Sequence, residues 1–335
     1  MKITLKEIAN LAGVSTSTVS RVINNSKPVN EEIRKRVLNV LKETNYLPYV
    51  AQTLTLPQDQ LLIGVICPQY SNTVLDDLIV GINKVCKLYG YDTVIGLTDG
   101  TVENELHYID LFSNKLSVQG MIFMGQEWDE RHLELIQKML TPVVLVGQIS
   151  SFPSIPSVHV DNITASYEAV TYLLQSGHQK VAMIRAAHGQ TIRKDRYQGY
   201  LKALSDAGIT PEESWVVESD LTVEGGRQAM ADLIAHGSMP TAVFCSTDSI
   251  AIGAISFLMD QGYKVPEDIS VFGFDGLELS NLIRPSLSTI VYSAVEIGMT
   301  ATRNLIKLCK NDHEQITPHI NVLHHLVIRE STSSI

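Results

Sequence analysis

The stretch LKEIANLAGVSTSTVSRVINN, Leu5–Asn25, decides how this chain is read. It is rich in Ser, Thr and Asn, the residues of turns, yet its apolar residues recur at helical spacing. Leu5, Ile8, Ala9 and Ala12 fall at i, i+3, i+4 and i+7, one face of a helix. Gly13 follows, and glycine tolerates the left-handed backbone that stops a helix. Ser15 suits the N-cap of a second helix, its oxygen accepting from the backbone N–H of Ser17 or Thr18. Val19, Val22 and Ile23 give that helix an inner face, which leaves Thr16, Ser17, Ser20 and Arg21 outside. Two short helices joined by a glycine-containing turn form a helix-turn-helix. Small hydroxyls let a helix lie deep in the major groove of duplex DNA and bond phosphates and base edges, and an arginine can fork onto guanine. The plainer alternative is a small bundle whose hydroxyls are merely solvated. A third amphipathic helix follows, with Ile33, Val37, Val40 and Leu41 inward and Arg34, Lys35, Arg36 and Lys42 outward.

Charge is distributed in keeping with this. The net charge is −10, but residues 1–60 carry eight Lys and Arg against five acids, a net +3, which leaves −13 for the remainder. A weakly basic head can approach phosphate while an acidic body discourages non-specific adhesion. The 335 residues exceed one typical domain of ~100–200, so two or three units are expected. No apolar run approaches the ~18 residues of a membrane span. No charged-then-apolar leader ends in a small-residue cleavage site, which predicts residence in a cytoplasm. Cys67, Cys86, Cys245 and Cys309 lie far apart, with no CxxC pair, and read as reduced core thiols. The histidines at 313, 319, 324 and 325 make only a weak metal pattern, so no metal and no cofactor is expected.

From Leu61 the texture changes. The short apolar runs LLIGVICP, DTVIGLT, GMIFMG and VVLVG read as buried strands, with LDDLIVGINKVCKLYG and NELHYIDLFSNKL as helices between them. A second set follows in KVAMIR, WVVESD, TAVFCSTD and ISVFGFDG. Such alternation predicts doubly wound parallel sheets in two lobes, with a ligand cleft at the carboxyl ends of the strands.

The segments TLKEIANLAGVSTSTVSRVINN and VNEEIRKRVLNVLKETNYLPY strongly resemble the LacI/GalR family of bacterial transcriptional repressors. VDNITASYEAVTYLLQSGHQKVAMI, DRYQGYLKAL, STDSIAIGAISFLMDQGYKVPEDISVFGFDG and RPSLSTI extend the resemblance through nearly the whole body, whose family counterpart is similar to periplasmic sugar-binding proteins. The resemblance implies a small all-α helix-turn-helix head, residues 1–48, a hinge over 49–60, and an α/β two-lobed periplasmic-binding-protein-like core over 61–332. Crossings between lobes are expected near Val160, Ser288 and Pro318. The first lobe then covers about 61–160 and 289–318, and the second about 161–288 and 319–332.

By the same resemblance Thr16, Ser17 and Arg21 occupy base-reading positions. Thr4, Ser15, Thr18, Ser20, Asn24, Asn30 and Tyr46 occupy positions that meet the DNA backbone. Arg34 either joins them or is a solvated helix charge. The linker YLPYVAQTLTLPQDQ departs from the family pattern: Tyr49 stands for the usual Asn, Gln52 for the usual Arg, and Ala51 follows Pro48 by three residues instead of four. In the family this segment forms a hinge helix on DNA, with a leucine wedged in the minor groove. Leu54 and Leu56 are the candidates for the wedge, the alternative being a flexible linker.

The resemblance also assigns an effector site. Arg196 heads it, since a guanidinium fork can bond two sugar hydroxyls or a carboxylate; the alternative is an ion pair with Asp195 or Glu168. Asp275, at a strand's carboxyl end, can accept from paired hydroxyls or cap the next helix. Thr247 and Asp248 stand where the family often has Asn-Asp, and Asp248 reads equally as a cap of its own helix. Tyr70, Ser71, Asn72 and Thr73 follow the first strand at effector-contact positions, although the family's Asn-Pro-Phe-Phe is here Asn-Thr-Val-Leu. Leu221 replaces an often aromatic residue. Gln126, Gln148 and Tyr292 line the first lobe's side or are solvated loop residues. The site so read is short of aromatics, which argues against a large oligosaccharide or a stacked purine.

The reading as a whole is a repressor, not an enzyme. Its partners are double-stranded operator DNA, a sugar-like small-molecule effector and a second copy of itself, and no membrane. No leucine heptads follow HLVIRESTSSI, so a homodimer without a tetramerising tail is expected. Inducer and corepressor both remain open, as does a catabolite-control-type regulator whose DNA binding is enhanced by a phosphoprotein.

Overall fold

The computed structural model describes residues 4–24, 28–44, 61–68, 73–125, 128, 130–150, 152, 155–187, 190–235, 237, 239–310, 312 and 316–335. The head is three helices, α1 (Leu5–Ala12), α2 (Thr16–Asn24) and α3 (Glu31–Glu43). Their apolar stripes meet in one small core of Ile8, Ala9, Ala12, Val19, Val22, Val37, Leu38 and Leu41. Gly13 stops α1 in the left-handed conformation at φ +63°, and its N–H bonds the carbonyl of Asn10. That turn sends α2 across α1, so the polar side of α2 is left outside.

The first lobe begins with β1 (Leu61–Pro68), α4 (Thr73–Leu88), β2 (Tyr91–Thr98) and α5 (Val102–Asp110), which runs on through a π-type turn at Leu111–Lys115. It continues with β3 (Gly120–Phe123), α6 (Glu130–Gln137), β4 (Val143–Val146) and β5 (Ser157–His159). The second lobe comprises α7 (Asn162–Gln175), β6 (Val181–Ala186), α8 (Gln190–Asp206), β7 (Val216–Ser219), α9 (Val223–Ala235) and β8 (Ala242–Cys245). It is completed by α10 (Asp248–Asp260), β9 (Ser270–Asp275), α11 (Leu279–Leu282) and β10 (Ser288–Tyr292). The chain then returns to the first lobe with α12 (Ala294–Cys309) and β11 (His319–Asn321), and ends in the second with β12 (His324–Val327).

The first sheet has the order β11-β5-β4-β3-β1-β2 and is parallel throughout. The second has the order β12-β10-β9-β8-β6-β7 and is parallel except for β12, which pairs antiparallel with β10. Both are covered on two faces, which is why their strands read as unbroken apolar runs. In β1, Ile63, Val65 and Cys67 face α4 and α12, while Ile66 faces Phe112 and Ile109 on the other side. The helices α4 and α12 approach at mutual glycines. A Cβ on Gly81 would collide with the Val295 carbonyl, and one on Gly298 with the Leu78 carbonyl.

The expected architecture is observed, a helical head and a two-lobed core of doubly wound sheets. Two crossings fall later than the sequence reading placed them. β10 belongs to the second sheet, so the chain leaves that lobe after Tyr292, not near Ser288. β11 belongs to the first sheet, so the last crossing follows Val322, not Pro318. The cause is buried hydroxyls. Ser288 and Thr289 look like loop residues, but both are fully buried with their oxygens bonded, Ser288 to Thr332 at 2.7 Å and Thr289 to Asp248 at 2.5 Å.

Candidate functional site

The head presents its hydroxyls at helix starts. Thr4 caps α1: its Oγ1 accepts from the Glu7 N–H at 3.3 Å, and the Thr4 N–H donates back to Glu7 at 2.6 Å. Ser15 Oγ accepts from the Thr18 N–H at 3.1 Å and lies 2.8 Å from the hydroxyls of Ser17 and Thr18. Asn30 Oδ1 accepts from the N–H of Glu32 at 2.9 Å and caps α3. Three of the positions expected at the DNA backbone therefore hold helix N-termini, whose outward dipoles favour phosphate. Thr16, Ser17 and Arg21 are exposed on α2, while Thr18 and Ser20 are half-buried at its edge. Asn24 closes α2. Tyr46, Leu54 and Leu56 lie outside the described residues.

In the core, Arg196 on α8 is only 5% exposed and sits at the carboxyl ends of β8 and β9. Its Nε donates to Asn162 Oδ1 at 2.9 Å, its Nη1 to the Ser246 carbonyl, and its Nη2 to Asp275 Oδ1 at 3.0 Å. The guanidinium carbon lies 3.6 Å from the centroid of the Phe274 ring. Tyr292 donates its hydroxyl to the same Asp275 Oδ1 at 3.0 Å. Asp275 thus spends one oxygen on two protein donors. Among the described residues its Oδ2 has no partner. Burial raises the pKa of Asp275 above its usual carboxylate value, and the Arg196 guanidinium works against that shift. Asp275 also takes φ +111°, unusual for a residue with a Cβ.

The other predicted positions separate into those that face this cluster and those that do not. Asp248 is fully buried; its Oδ2 accepts from the Leu277 N–H at 2.7 Å and its Oδ1 bonds Thr289 Oγ1 at 2.5 Å. Burial, reinforced by the neighbouring Asp275 charge, pushes its acid up to about 8. Thr247, not Asp248, caps α10, accepting from the Ile250 N–H at 3.3 Å. Leu221 is half-buried and leans on the apolar core between the second sheet and α9–α10. Gln148 is buried just beyond β4. Its neighbour Gly147 faces Ile192 of the second lobe, so the two lobes close on each other at this point. Thr73 opens α4. Tyr70, Ser71, Asn72 and Gln126 lie outside the described residues.

Sequence reasoning did not single out Asn162, Ser246, Phe274 and Thr289. Asn162 directly follows the first crossing, at the start of α7, which is the one signal that could have found it. Phe274 reads only as strand core, and Ser246 contributes a carbonyl, which carries no residue signature. A second charged cluster stands near the start of α8. Arg185 donates to Glu218 at 2.8 Å and lies over the Tyr197 ring, and Arg193 bonds the same carboxylate. Among the described residues no three His, Cys, Asp or Glu side chains come together in a way that could hold a metal ion. No helix among them is long and apolar enough to cross a membrane.

Comparison with known proteins places this geometry. Residues 4–49 match the bacterial regulatory proteins of the lacI family, and residues 170–332 match the periplasmic binding protein-like domain. The chain is 33% identical over 333 residues to catabolite control protein A of Priestia megaterium, covering 99% of this chain and 100% of that one. It is 34% identical over 310 residues to the transcriptional repressor CytR of Escherichia coli K12, covering 92% and 91%. The structure superposes with a TM-score of 0.75 on the lac repressor dimer bound to operator and the anti-inducer ONPF, at 26% identity over 99% of this chain and 100% of that one. With a helix-turn-helix head, a two-lobed core and full-length relatives of that kind, the chain belongs to the lacI family of bacterial regulatory proteins.

Proposed function

We propose that the protein is a homodimeric, sequence-specific transcriptional repressor controlled by a small sugar or sugar derivative. Thr16, Ser17 and Arg21 read base edges in the major groove, and Thr4, Ser15, Thr18, Ser20, Asn24, Asn30 and Tyr46 hold the DNA backbone. Two heads meet the half-sites of a near-palindrome, about one helical turn apart. Residues 49–60 act as the hinge, with Leu54 or Leu56 as its minor-groove wedge. The effector sits between the lobes. Asp275 Oδ2 accepts its hydroxyls, the remaining N–H groups of Arg196 donate to it, and Tyr292, Thr247, Gln148, Gln126, Leu221 and residues 70–73 enclose it. Asp248 supports this wall from behind.

The observation that carries this reading is the union, in one chain, of the exposed Thr16–Ser17–Arg21 face and the Arg196–Asp275 cluster. Pairing of two chains is supported by an apolar strip on the first lobe. Ile95 and Leu97 on the edge strand β2 are 42% and 48% exposed, and their register with Val65 and Cys67 puts them on the α4 side, where Val80 is also exposed. Effector and operator affinities are then coupled through the lobes, and the coupling is reciprocal. The protein acts in the cytoplasm and returns its ligand chemically unchanged.

Genome-wide footprinting at low ionic strength, with and without metabolite extract, tests the reading. Protected promoters whose occupancy changes with the extract are expected, and no protected promoter under either condition would overturn it. The full-length match to catabolite control protein A favours one second reading, a regulator whose DNA affinity is raised by a phosphoprotein. In that case protection would grow on adding cell protein, and not on adding its small-molecule fraction.

A further inference from the structure

Asp248 does not cap its own helix, whose cap is Thr247, and both of its carboxyl oxygens are bonded to protein groups. Its carboxyl group lies behind the cleft wall, between the start of α10, the turn that follows β9, and β10. One oxygen takes the Leu277 N–H at 2.7 Å, and the other meets Thr289 Oγ1 at 2.5 Å. The bond to Leu277 fastens the turn two residues beyond Asp275, and the bond to Thr289 fastens that turn to β10. The carboxyl occupies the space left by Gly273, where any Cβ would collide with Asp248 Oδ1. Asp275 itself takes a left-handed backbone, φ +111°, which costs energy unless its surroundings fix it.

We infer that Asp248 is a positioning residue: its carboxyl splints the Asp275–Gly276–Leu277 turn to β10 and so aims Asp275 Oδ2 into the cleft. The inference rests on the proposed role of Asp275 as an effector acceptor. The titratable and charged groups facing Asp248 are Cys245 on β8, Asp275 on β9 and Arg329 beyond β12. Burial and the Asp275 charge raise Asp248 to about 8, outweighing Arg329, and burial keeps the Cys245 thiol neutral. Thr289 Oγ1 donates to one carboxyl oxygen at 2.5 Å and lies 3.2 Å from the Ile290 carbonyl, while the second carboxyl oxygen accepts from the Leu277 N–H. An asparagine amide can make the same two bonds, and alanine can make neither.

Hydrogen exchange at the Leu277 amide in the full-length protein tests this, with no effector needed. In Asp248→Asn its protection should stay within about threefold of the original, and in Asp248→Ala it should drop by about tenfold or more. Thr289→Val, which keeps the shape of the strand, should also lower it, and serves if the alanine variant does not fold. A second readout is thermal stability against pH. The folded-state acid lies above its unfolded value of 3.8, so the native state binds the extra proton between pH 4 and 8 and loses stability as pH rises through that window. Asp248→Asn lacks this loss, so its Tm relative to the original should rise from pH 5 to pH 8. Unchanged Leu277 protection in Asp248→Ala or Thr289→Val, or a Tm difference for Asp248→Asn that is flat with pH, would overturn the inference. Neither measurement depends on operator or effector, so such a failure is distinguishable from failure of the proposed function.

Discussion

Arg196 and Asp275 meet through a single carboxylate oxygen. Nη2 of Arg196 reaches Oδ1 at 3.0 Å, Tyr292 donates to that same oxygen, and Oδ2 has no partner among the described residues. A buried ion pair of this kind is poor evidence of stabilisation, because desolvation offsets most of the attraction. Its value lies in placement. The guanidinium is fixed by Asn162, the Ser246 carbonyl and the Phe274 ring, so the carboxylate and its counter-charge are held in place by protein groups alone.

Removing one partner should therefore separate two properties. Arg196→Ala is expected to abolish the effector-induced rise in Tm while leaving operator affinity intact. It also strands Asp275 without its partner, so stability itself should fall by ~3–5 kcal/mol. Thermal-shift titration and a mobility-shift assay on the same preparation check both, and a full ligand response would exclude Arg196 from the site.

Arg21 is exposed on α2 and contributes nothing to the core of the head. Arg21→Ala should leave the melting of the head unchanged yet cost ~1–3 kcal/mol in operator discrimination. Competition of operator against a scrambled duplex, at a fixed salt concentration, measures this directly. Undiminished selectivity would remove Arg21 from the base-reading set.

The cap of α1 should titrate. Bonds from the Thr4 N–H and hydroxyl hold the Glu7 carboxyl below its usual range. A depressed acid supports the native state above its unfolded value, and that support is lost as pH falls through the lower folded value. Helicity of the head, followed by circular dichroism, should decline on acidification below pH 4.5, and Thr4→Ala should flatten that decline.

Gly298 lets α12 ride directly on the backbone of α4. Gly298→Ala should destabilise the first lobe by ~1–3 kcal/mol, since the added methyl meets a carbonyl and not a yielding side chain. Urea unfolding followed by intrinsic fluorescence gives the number; a neutral effect would mean the two helices can separate freely.

Leu54→Ala and Leu56→Ala should differ in operator affinity, because only one leucine can occupy the minor-groove wedge. Equal and negligible losses in both would retire the hinge reading of residues 49–60.

The helical head and the eight apolar strands of the two lobes were legible in sequence because they rest on local periodicity and short apolar runs, and the family because whole segments resemble its members. Ile8, Ala9 and Ala12 must share a face if the segment is a helix, and Gly13 must then be its stop. The roles of Ser15 as a cap and of Arg196 as the centre of a cluster were also visible, the first from local chemistry, the second from resemblance. β5, β10, β11 and β12 were not legible. They are three to five residues long, and the polar residues of β10 are buried only because distant oxygens satisfy them.

By itself the sequence determined the helices of the head, the eight apolar strands, and that a hydroxyl-bearing helix precedes a two-lobed core, since these depend on spacing within a few residues. Only the tertiary structure decided that both oxygens of Asp248 are taken by protein donors while Asp275 keeps one oxygen without a partner among the described residues. Both are acids at the carboxyl side of a strand and look alike in sequence. What divides them is the set of groups brought from afar, Thr289 and Leu277 for one and Arg196 and Tyr292 for the other, and burial then fixes what each carboxyl can do.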